Sequence, residues 1–159
     1  MRVGVISDTH GLVRPEALRA LRGSQRIVHA GDVGGPEVLA ALRRIAPVTA
    51  VRGNNDRAPW ARALPETRVL RIGAARLYLL HDVHALEVDP AAARFQAVIA
   101  GHSHQPGMEL RDGVLFFNPG SAGPRRFRLP VSVGRLVVRG GRVRGRIVLL
   151  PLANRGAYS

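Results

Sequence analysis

Cysteine is absent from the 159-residue chain, which excludes disulfides, thiolate metal ligands and a cysteine nucleophile and leaves any metal site to His, Asp, Glu and Asn. Lysine is absent as well: all 24 basic residues are Arg, against 11 acidic ones, for a formal charge of +13. Aromatic residues make up only 4%, yet no long polar or low-complexity tract suggests disorder, and the apolar and charged fractions are those of an ordinary globular domain. No apolar run approaches the about 20 residues of a membrane span. The first residues read directly as a strand, without the charged and apolar regions and cleavage site of a secretion signal. The expectation is one domain over residues 1–159, cytoplasmic, with no membrane partner. At this length, folding buries roughly 70% of the surface of the unfolded chain, enough for one sizeable core.

What is present is a strand and helix alternation that gives way to strands. Residues 2–7 alternate and are rich in Val and Ile, whereas residues 15–22 carry Leu18 and Leu21 at helical spacing, with Pro15 at the start and Gly23 past the end. The layout repeats with residues 27–30 as strand and 36–45 as helix, Val38, Leu42 and Ile45 sharing a face, and residues 47–51 form a third strand. Further strands are expected at 67–72, 76–80, 97–100 and 114–117, followed by a closing hairpin of 131–138 and 143–150 around Gly140-Gly141. This order predicts a mixed α/β sandwich without linkers or repeats.

The metal-capable residues fall at equivalent places on that layout. Asp8 and His10 follow the first strand, Asp32 the second, Asn54 the third, His81 the strand ending at residue 80, and His102 and His104 the strand ending at residue 100. Ligands bind at the carboxyl edge of open α/β sheets, where loops converge on rigid strands. Oxygen and imidazole donors together suit Mn, Fe, Zn, Ni or Co. Two ions about 3.5–4 Å apart can clamp a phosphoryl group and generate hydroxide between them. Taken singly, Asp8-Thr9-His10 also reads as a capping Asp with a surface His, and Gly31-Asp32 as a common turn.

Taken in order, Asp8-Thr9-His10, Gly31-Asp32, Gly53-Asn54-Asn55-Asp56, His81 and Gly101-His102-Ser103-His104 resemble the motif blocks of the calcineurin-like metallophosphoesterases. Within that superfamily the chain is most similar to the small single-domain bacterial and archaeal phosphodiesterases, over nearly its whole length. Asn118-Pro119-Gly120-Ser121 looks like the segment that follows their last metal-binding block. The resemblance implies an α/β four-layer sandwich of two mixed β-sheets flanked by helices, with the metals at one edge. It implies a dinuclear phosphoesterase acting on phosphate esters, phosphodiesters foremost, by attack of a metal-bridging hydroxide. Asp8, His10, Asp32 and His104 would hold one ion, and Asp32, Asn54, His81 and His102 the other. Manganese is the first expectation for both, with Ni, Co, Fe or Zn as alternatives.

Two departures stand out. Larger members of the superfamily have His where this chain has Asn55, and an amide is no useful proton donor. The small phosphodiesterases show His-Gly-His where this chain has His81-Asp82-Val83-His84, which alters the loop beside the second ion. His84 is therefore a candidate general acid or a surface residue, and Asp56 either orients a histidine or caps a turn. His29 reads as structural, and Arg57, Arg125 and Arg126 as solvated residues within reach of a phosphate oxygen. Arg142, Arg144 and Arg146 alternate with Val143, Gly145 and Ile147, which makes one strand face basic: a solvated face, or a stripe that tracks a nucleic-acid backbone. Two non-catalytic readings stay open: a binding scaffold, as in a retromer subunit of this fold, and a basic nucleic-acid-binding protein. Seven intact ligand positions favour the enzyme.

Overall fold

Short β-branched runs interrupted by Pro-started helices give two five-stranded sheets in the structure, a computed structural model that describes residues 1–126 and 128–152. The first sheet takes its middle from the two βα units: β1 (Arg2–Ile6), α1 (Pro15–Leu21), β2 (Arg26–His29), α2 (Pro36–Arg43) and β3 (Val48–Ala50). The second comprises β4 (Thr67–Ile72), β5 (Ala75–Leu80), β6 (Ala97–Ile99), β7 (Gly107–Arg111) and β8 (Val114–Asn118). The closing hairpin, β9 (Ser132–Arg139) and β10 (Arg142–Leu149), returns to the first sheet, so that the orders are β10-β9-β1-β2-β3 and β4-β5-β6-β8-β7.

Each sheet contains three parallel neighbours, β1, β2 and β3 in one and β5, β6 and β8 in the other. Parallel strands present their carboxyl ends on one rim, so the loops leaving them collect at a common edge. Antiparallel partners complete both sheets: β9 against β1 with Val5 opposite Gly134, and β4 against β5 with Leu70 opposite Leu77. Between the sheets Val3, Val5, Val28, Leu77, Leu79, Ile99, Phe117 and Leu136 form the main core. On the other side of the first sheet α1 and α2 bury Ala17, Leu21, Val38, Leu39 and Leu42 against Ile6, Ile27 and Val133. The outer side of the second sheet is covered by Leu86 and Ala91, which pack on Leu80, Val98 and Val114. This is the expected sandwich of two mixed sheets with helices.

All nine predicted strands recur within one or two residues. The additional strand is β7, an edge strand absent from the sequence reading because all five of its residues are exposed and show no buried alternation. Two short 3-10 turns, Pro59–Ala63 and Val83–Ala85, were also not expected.

His29 on β2 is fully buried, and its polar atoms are satisfied as predicted for a structural residue. Nδ1 accepts the Gly31 N–H at 3.1 Å, so the proton is on Nε2 and goes to Thr9 Oγ1 at 2.9 Å, and the threonine hydroxyl donates to the Val33 carbonyl at 2.8 Å. Burial, reinforced by nearby His81, lowers its pKa from 6.5 to about 3. The unfolded chain therefore binds a proton between those values that the folded chain does not. The contribution of His29 is complete above pH 6.5 and is lost as pH falls toward about 3. Urea unfolding between pH 6.5 and 4 should show stability falling by up to about 1.4 kcal/mol per pH unit more in the wild type than in His29→Asn. Equal slopes would mean that His29 does not hold off its proton.

Candidate metal centre

Every one of the seven sequence-predicted ligands lies on the shared rim. The first sheet supplies Asp8 and His10 after β1, Asp32 after β2 and Asn54 after β3, and the second supplies His81 after β5 and His102 and His104 after β6. Their backbones are unusual. Asp8, His10, Asp32, His102 and His104 have φ between 47° and 70°, and they are five of the seven non-glycine residues with positive φ among the described residues. For a residue with a Cβ this left-handed conformation costs roughly 1–2 kcal/mol, and such costs concentrate at functional sites. The turns it makes swing each side chain back over its strand end toward the seam between the sheets.

The side chains form two groups joined by the two carboxylates. In the first, His104 Nε2 is 3.3 Å and His10 Nε2 3.9 Å from Asp8 Oδ1, the two ring nitrogens are 3.4 Å apart, and Asp32 Oδ2 is 3.8 Å from His10 Nε2. In the second, His81 Nε2 is 3.3 Å from the same Asp32 Oδ2 and 3.3 Å from His102 Nδ1, which is 3.2 Å from Asn54 Oδ1. Asp32 Oδ2 thus lies within reach of both groups, and so does Asp8 Oδ1, which with Asp32 and His81 forms one candidate cation site and with His10 and His104 another. Asp8 Oδ1 also approaches His81 Nε2 at 3.7 Å, so the two groups are tightly joined.

The donor set fits divalent cations. Asp8 Oδ1 is buried without a hydrogen-bond partner, as is Nδ1 of His104, and an orphaned carboxylate oxygen facing three imidazole nitrogens is what a cation would satisfy. The other oxygens are held by the protein. Asp8 Oδ2 accepts from Ser7 Oγ at 2.7 Å and from the His102 amide at 3.0 Å. Asp32 accepts from the Asn55 amide at 2.9 Å and from Asn55 Nδ2 at 3.0 Å. His81 Nδ1–H donates to the Ala30 carbonyl at 2.7 Å, which leaves Nε2 to face the carboxylates. A Cβ at Gly53 would overlap the Asp32 carboxylate and one at Gly101 the Ser7 hydroxyl and Asp8, so both positions require glycine.

The ionisation of these groups follows from their crowding. Burial opposes charge on Asp32, but contacts from His81 and Asn55 outweigh it and hold the carboxyl well below the usual range. Burial also disfavours a second proton on His81, yet Asp32 and Asp8 raise its pKa. Burial dominates at His104, and with repulsion from Arg126 and His10 it lowers that pKa despite the attraction of Asp8.

The remaining candidates are dispersed. His84 is exposed on the 3-10 turn, where its amide donates to Asp82 Oδ1 at 3.0 Å, and the structure does not bring it into either group. Asp82 is the residue of that loop that approaches the site, 3.8 Å from His102 Nε2. Asp56 touches no histidine: it accepts from the Val33, Gly34 and Gly53 amides at 2.9–3.1 Å, tying the Asp32 and Asn54 loops together, so the turn-capping reading is the correct one. Arg57 donates to the Asn54 carbonyl and Arg125 to the Leu129 carbonyl. Several supporting residues escaped the sequence reading. Ser7 carried no signal beyond its place before Asp8. Asn118 and Ser121 were visible only as a block, and now have contacts: Asn118 Nδ2 donates to the Gly101 carbonyl and Ser121 Oγ to the Asp8 carbonyl, both at 3.0 Å. A cleft of about 360 Å³ beside the second group is lined by Arg52, Asn54, Glu66, Tyr78, His81 and His102.

Comparison with known proteins agrees with this geometry. The profile of the calcineurin-like phosphoesterase superfamily domain matches residues 1–141. A protein of Methanothermobacter thermautotrophicus named "Probable metallophosphoesterase" is 34% identical over 93% of this chain and 92% of its own length. Phosphodiesterase YfcE of Escherichia coli K12 is 32% identical over 86% of this chain and 87% of its own. Among solved structures, wild-type Vps29 of Entamoeba histolytica complexed with Zn²⁺ superposes with a TM-score of 0.70 at 26% identity, covering 94% of this chain and 99% of that one.

The strained turns make a stability prediction that does not depend on catalysis. His102→Gly and His102→Ala both delete the imidazole, but only glycine is at ease at φ 70°. In metal-free protein the glycine variant should be the more stable by about 1 kcal/mol in urea unfolding. Equal stabilities would show that the turn relaxes when the ring is removed.

Proposed function

From the premise that the chain belongs to the calcineurin-like phosphoesterase superfamily, we propose that it hydrolyses phosphodiesters at a centre that holds two divalent ions. The observation that carries this reading is the pair of ligand groups joined by Asp32 Oδ2 and by the unpartnered Asp8 Oδ1. Asp8, His10, Asp32 and His104 would hold one ion and Asp32, Asn54, His81 and His102 the other. Manganese suits this mixture of oxygen and imidazole donors, as do Ni, Co, Fe and Zn. Ions bound there would supply Lewis acidity toward the phosphoryl oxygens and acidify a water molecule.

The chain's own part is positioning. Asp8 and Asp32 offset the charge of two cations, and Asn54 adds an oxygen donor without adding negative charge. Asn55 holds Asp32 by two hydrogen bonds and Ala30 fixes the tautomer of His81, so the donors are oriented before anything binds. The neighbouring cleft, with Tyr78 and the ion-paired Arg52 and Glu66 in its wall, has room for one alcohol of a diester. The amide of Asn55 is committed to Asp32 and delivers no proton to a leaving group. Diesters with an acidic alcohol, such as aryl esters, are therefore the favoured substrates.

A protein-interaction scaffold is the second reading, and the exposure of edge strand β7, where Met108 and Leu110 face solvent, favours it. Against it stands the buried, unpaired Asp8 oxygen, which costs a scaffold stability and gives it nothing in return.

Element analysis after reconstitution with Mn should give two ions per chain in the wild type, and Asp32→Asn should lose metal and at least about 100-fold in turnover of an aryl diester, because one carboxylate serves both ions. A folded protein that takes up none of the five metals would falsify the assignment. Because ligand histidines must shed a proton, and the His81 pKa is raised, metal uptake should strengthen as pH rises through the histidine range. His84→Ala should leave the ratio of aryl to alkyl diester turnover unchanged. A loss confined to the alkyl ester would make His84 the general acid after all.

A further inference from the structure

The arginines of the closing hairpin have company. At the end of the first sheet away from the metal centre, strand register sets Arg2 opposite Val137 and Val137 opposite Arg144, while Arg146 pairs with Arg135 and Arg142 with Arg139. Directly paired residues share a face, so six arginines project from one side of β1, β9 and β10. Arg22, just past the end of α1, faces them across a cleft of about 370 Å³ whose wall also includes Ser24 and Val137. No acidic residue lies on these three strands or in that wall. The only arginines in ion pairs among the described residues, Arg52 and Arg111, are elsewhere. Like charges set directly opposite across two strands are destabilising, and a merely solvated face intersperses both signs. Arg135 donates to the Ala20 carbonyl and so anchors the end of α1 to the floor of the cleft.

We propose that this cleft is a second binding site, separate from the metal centre, that takes the phosphate backbone of a nucleic-acid duplex. Alternate arginines on β10 are rooted about 6.8 Å apart along the strand, on the scale of the step between successive phosphates, and each guanidinium suits paired hydrogen bonds to a phosphate. Among the described residues no aromatic side chain lines the cleft. Unpaired bases have nothing there to stack on, so contact is with the backbone, independent of sequence. An acidic membrane is disfavoured because, among the described residues, Val137 is the only exposed large apolar side chain in the wall, too little to insert among lipids. Arg2 and Asp8 are separated by the length of β1, roughly 20 Å, so a duplex held here is not presented to the metal centre by the same cleft.

The test is fluorescence anisotropy with a short labelled DNA duplex over a range of salt concentrations. The wild type should bind, and the slope of log K against log salt should reflect about five phosphates. Arg142→Gln, Arg144→Gln and Arg146→Gln together should weaken binding at least about tenfold at low salt and flatten the slope by about 2–3. A control triple, Arg43→Gln, Arg68→Gln and Arg71→Gln, removes the same charge elsewhere and should stay within about twofold of the wild type. Turnover of a small aryl diester should be unchanged in both. Hydrogen exchange of the wild type should show the duplex protecting residues 135–146 and not 81–104, a readout that survives any folding defect in the variants. The proposal is overturned if the duplex does not bind at low salt, if both triples lose affinity equally, if single strands bind more tightly than duplex, or if phosphatidylserine vesicles displace the duplex at equal phosphate.

Discussion

Burying two carboxylates within reach of the same imidazole is unfavourable unless hydrogen bonds and cations compensate, and the rim of this protein is arranged around that compensation. Asp8 and Asp32 both approach His81 Nε2, at 3.7 and 3.3 Å. Each has one oxygen held by a backbone amide, from His102 and Asn55, and each receives a side-chain donor, from Ser7 and Asn55. The loops carrying those donors are tied in turn by Asp56 and by Asn118 and Ser121. Removing any brace would loosen the carboxylates first, since they carry the largest uncompensated cost. Because one carboxylate comes from each of two adjacent strand ends while His81, His102 and His104 come from the opposite sheet, the electrostatic balance is struck across the seam of the sandwich.

The positions of the ligands were legible in the sequence because each follows a strand whose Val- and Ile-rich pattern is plain, and parallel strands leave their loops on one rim. Reading Asp8, Asp32 and His81 as ligands needed more, namely the order of the motif blocks and their resemblance to the calcineurin-like phosphoesterases. Edge strand β7 was not legible, because pairing with β8 holds it in place and no buried face marks its residues. The role of Asp56 was ambiguous for another reason: a carboxylate that orients a ring and one that gathers three amides look alike until the loops are in space. His84 was attractive because it follows His81 on the loop where related proteins carry His-Gly-His, but that loop forms a 3-10 turn capped by Asp82 on which His84 is exposed and outside both ligand groups. The left-handed backbone of five ligands had only an indirect signal, the glycines beside them that make room for the turns.

Charge is distributed in the same divided way. The acidic residues with the strongest structural consequences, Asp8, Asp32 and Asp56, are at the rim, whereas β1, β9 and β10 contribute arginine alone to the far end of the first sheet. The β-sheet thus separates the anionic pole, which attracts cations, from a cationic pole, which attracts anions, and the absence of lysine gives the latter the planar, hydrogen-bonding form of positive charge throughout.

The five left-handed ligand turns bear on how such a sequence can drift. At each of them glycine would adopt the backbone turn more comfortably than the residue present, but at Asp8 and Asp32 that relief is set against the hydrogen bonds the carboxylates accept from Ser7, His102 and Asn55, so the gain from losing the side chain falls to the histidine turns. Decay of the centre is thus downhill in backbone strain at the histidines, while the carboxylates are held by their hydrogen bonds. A chain that still carries His10, His102 and His104 keeps them against the preference of its own backbone.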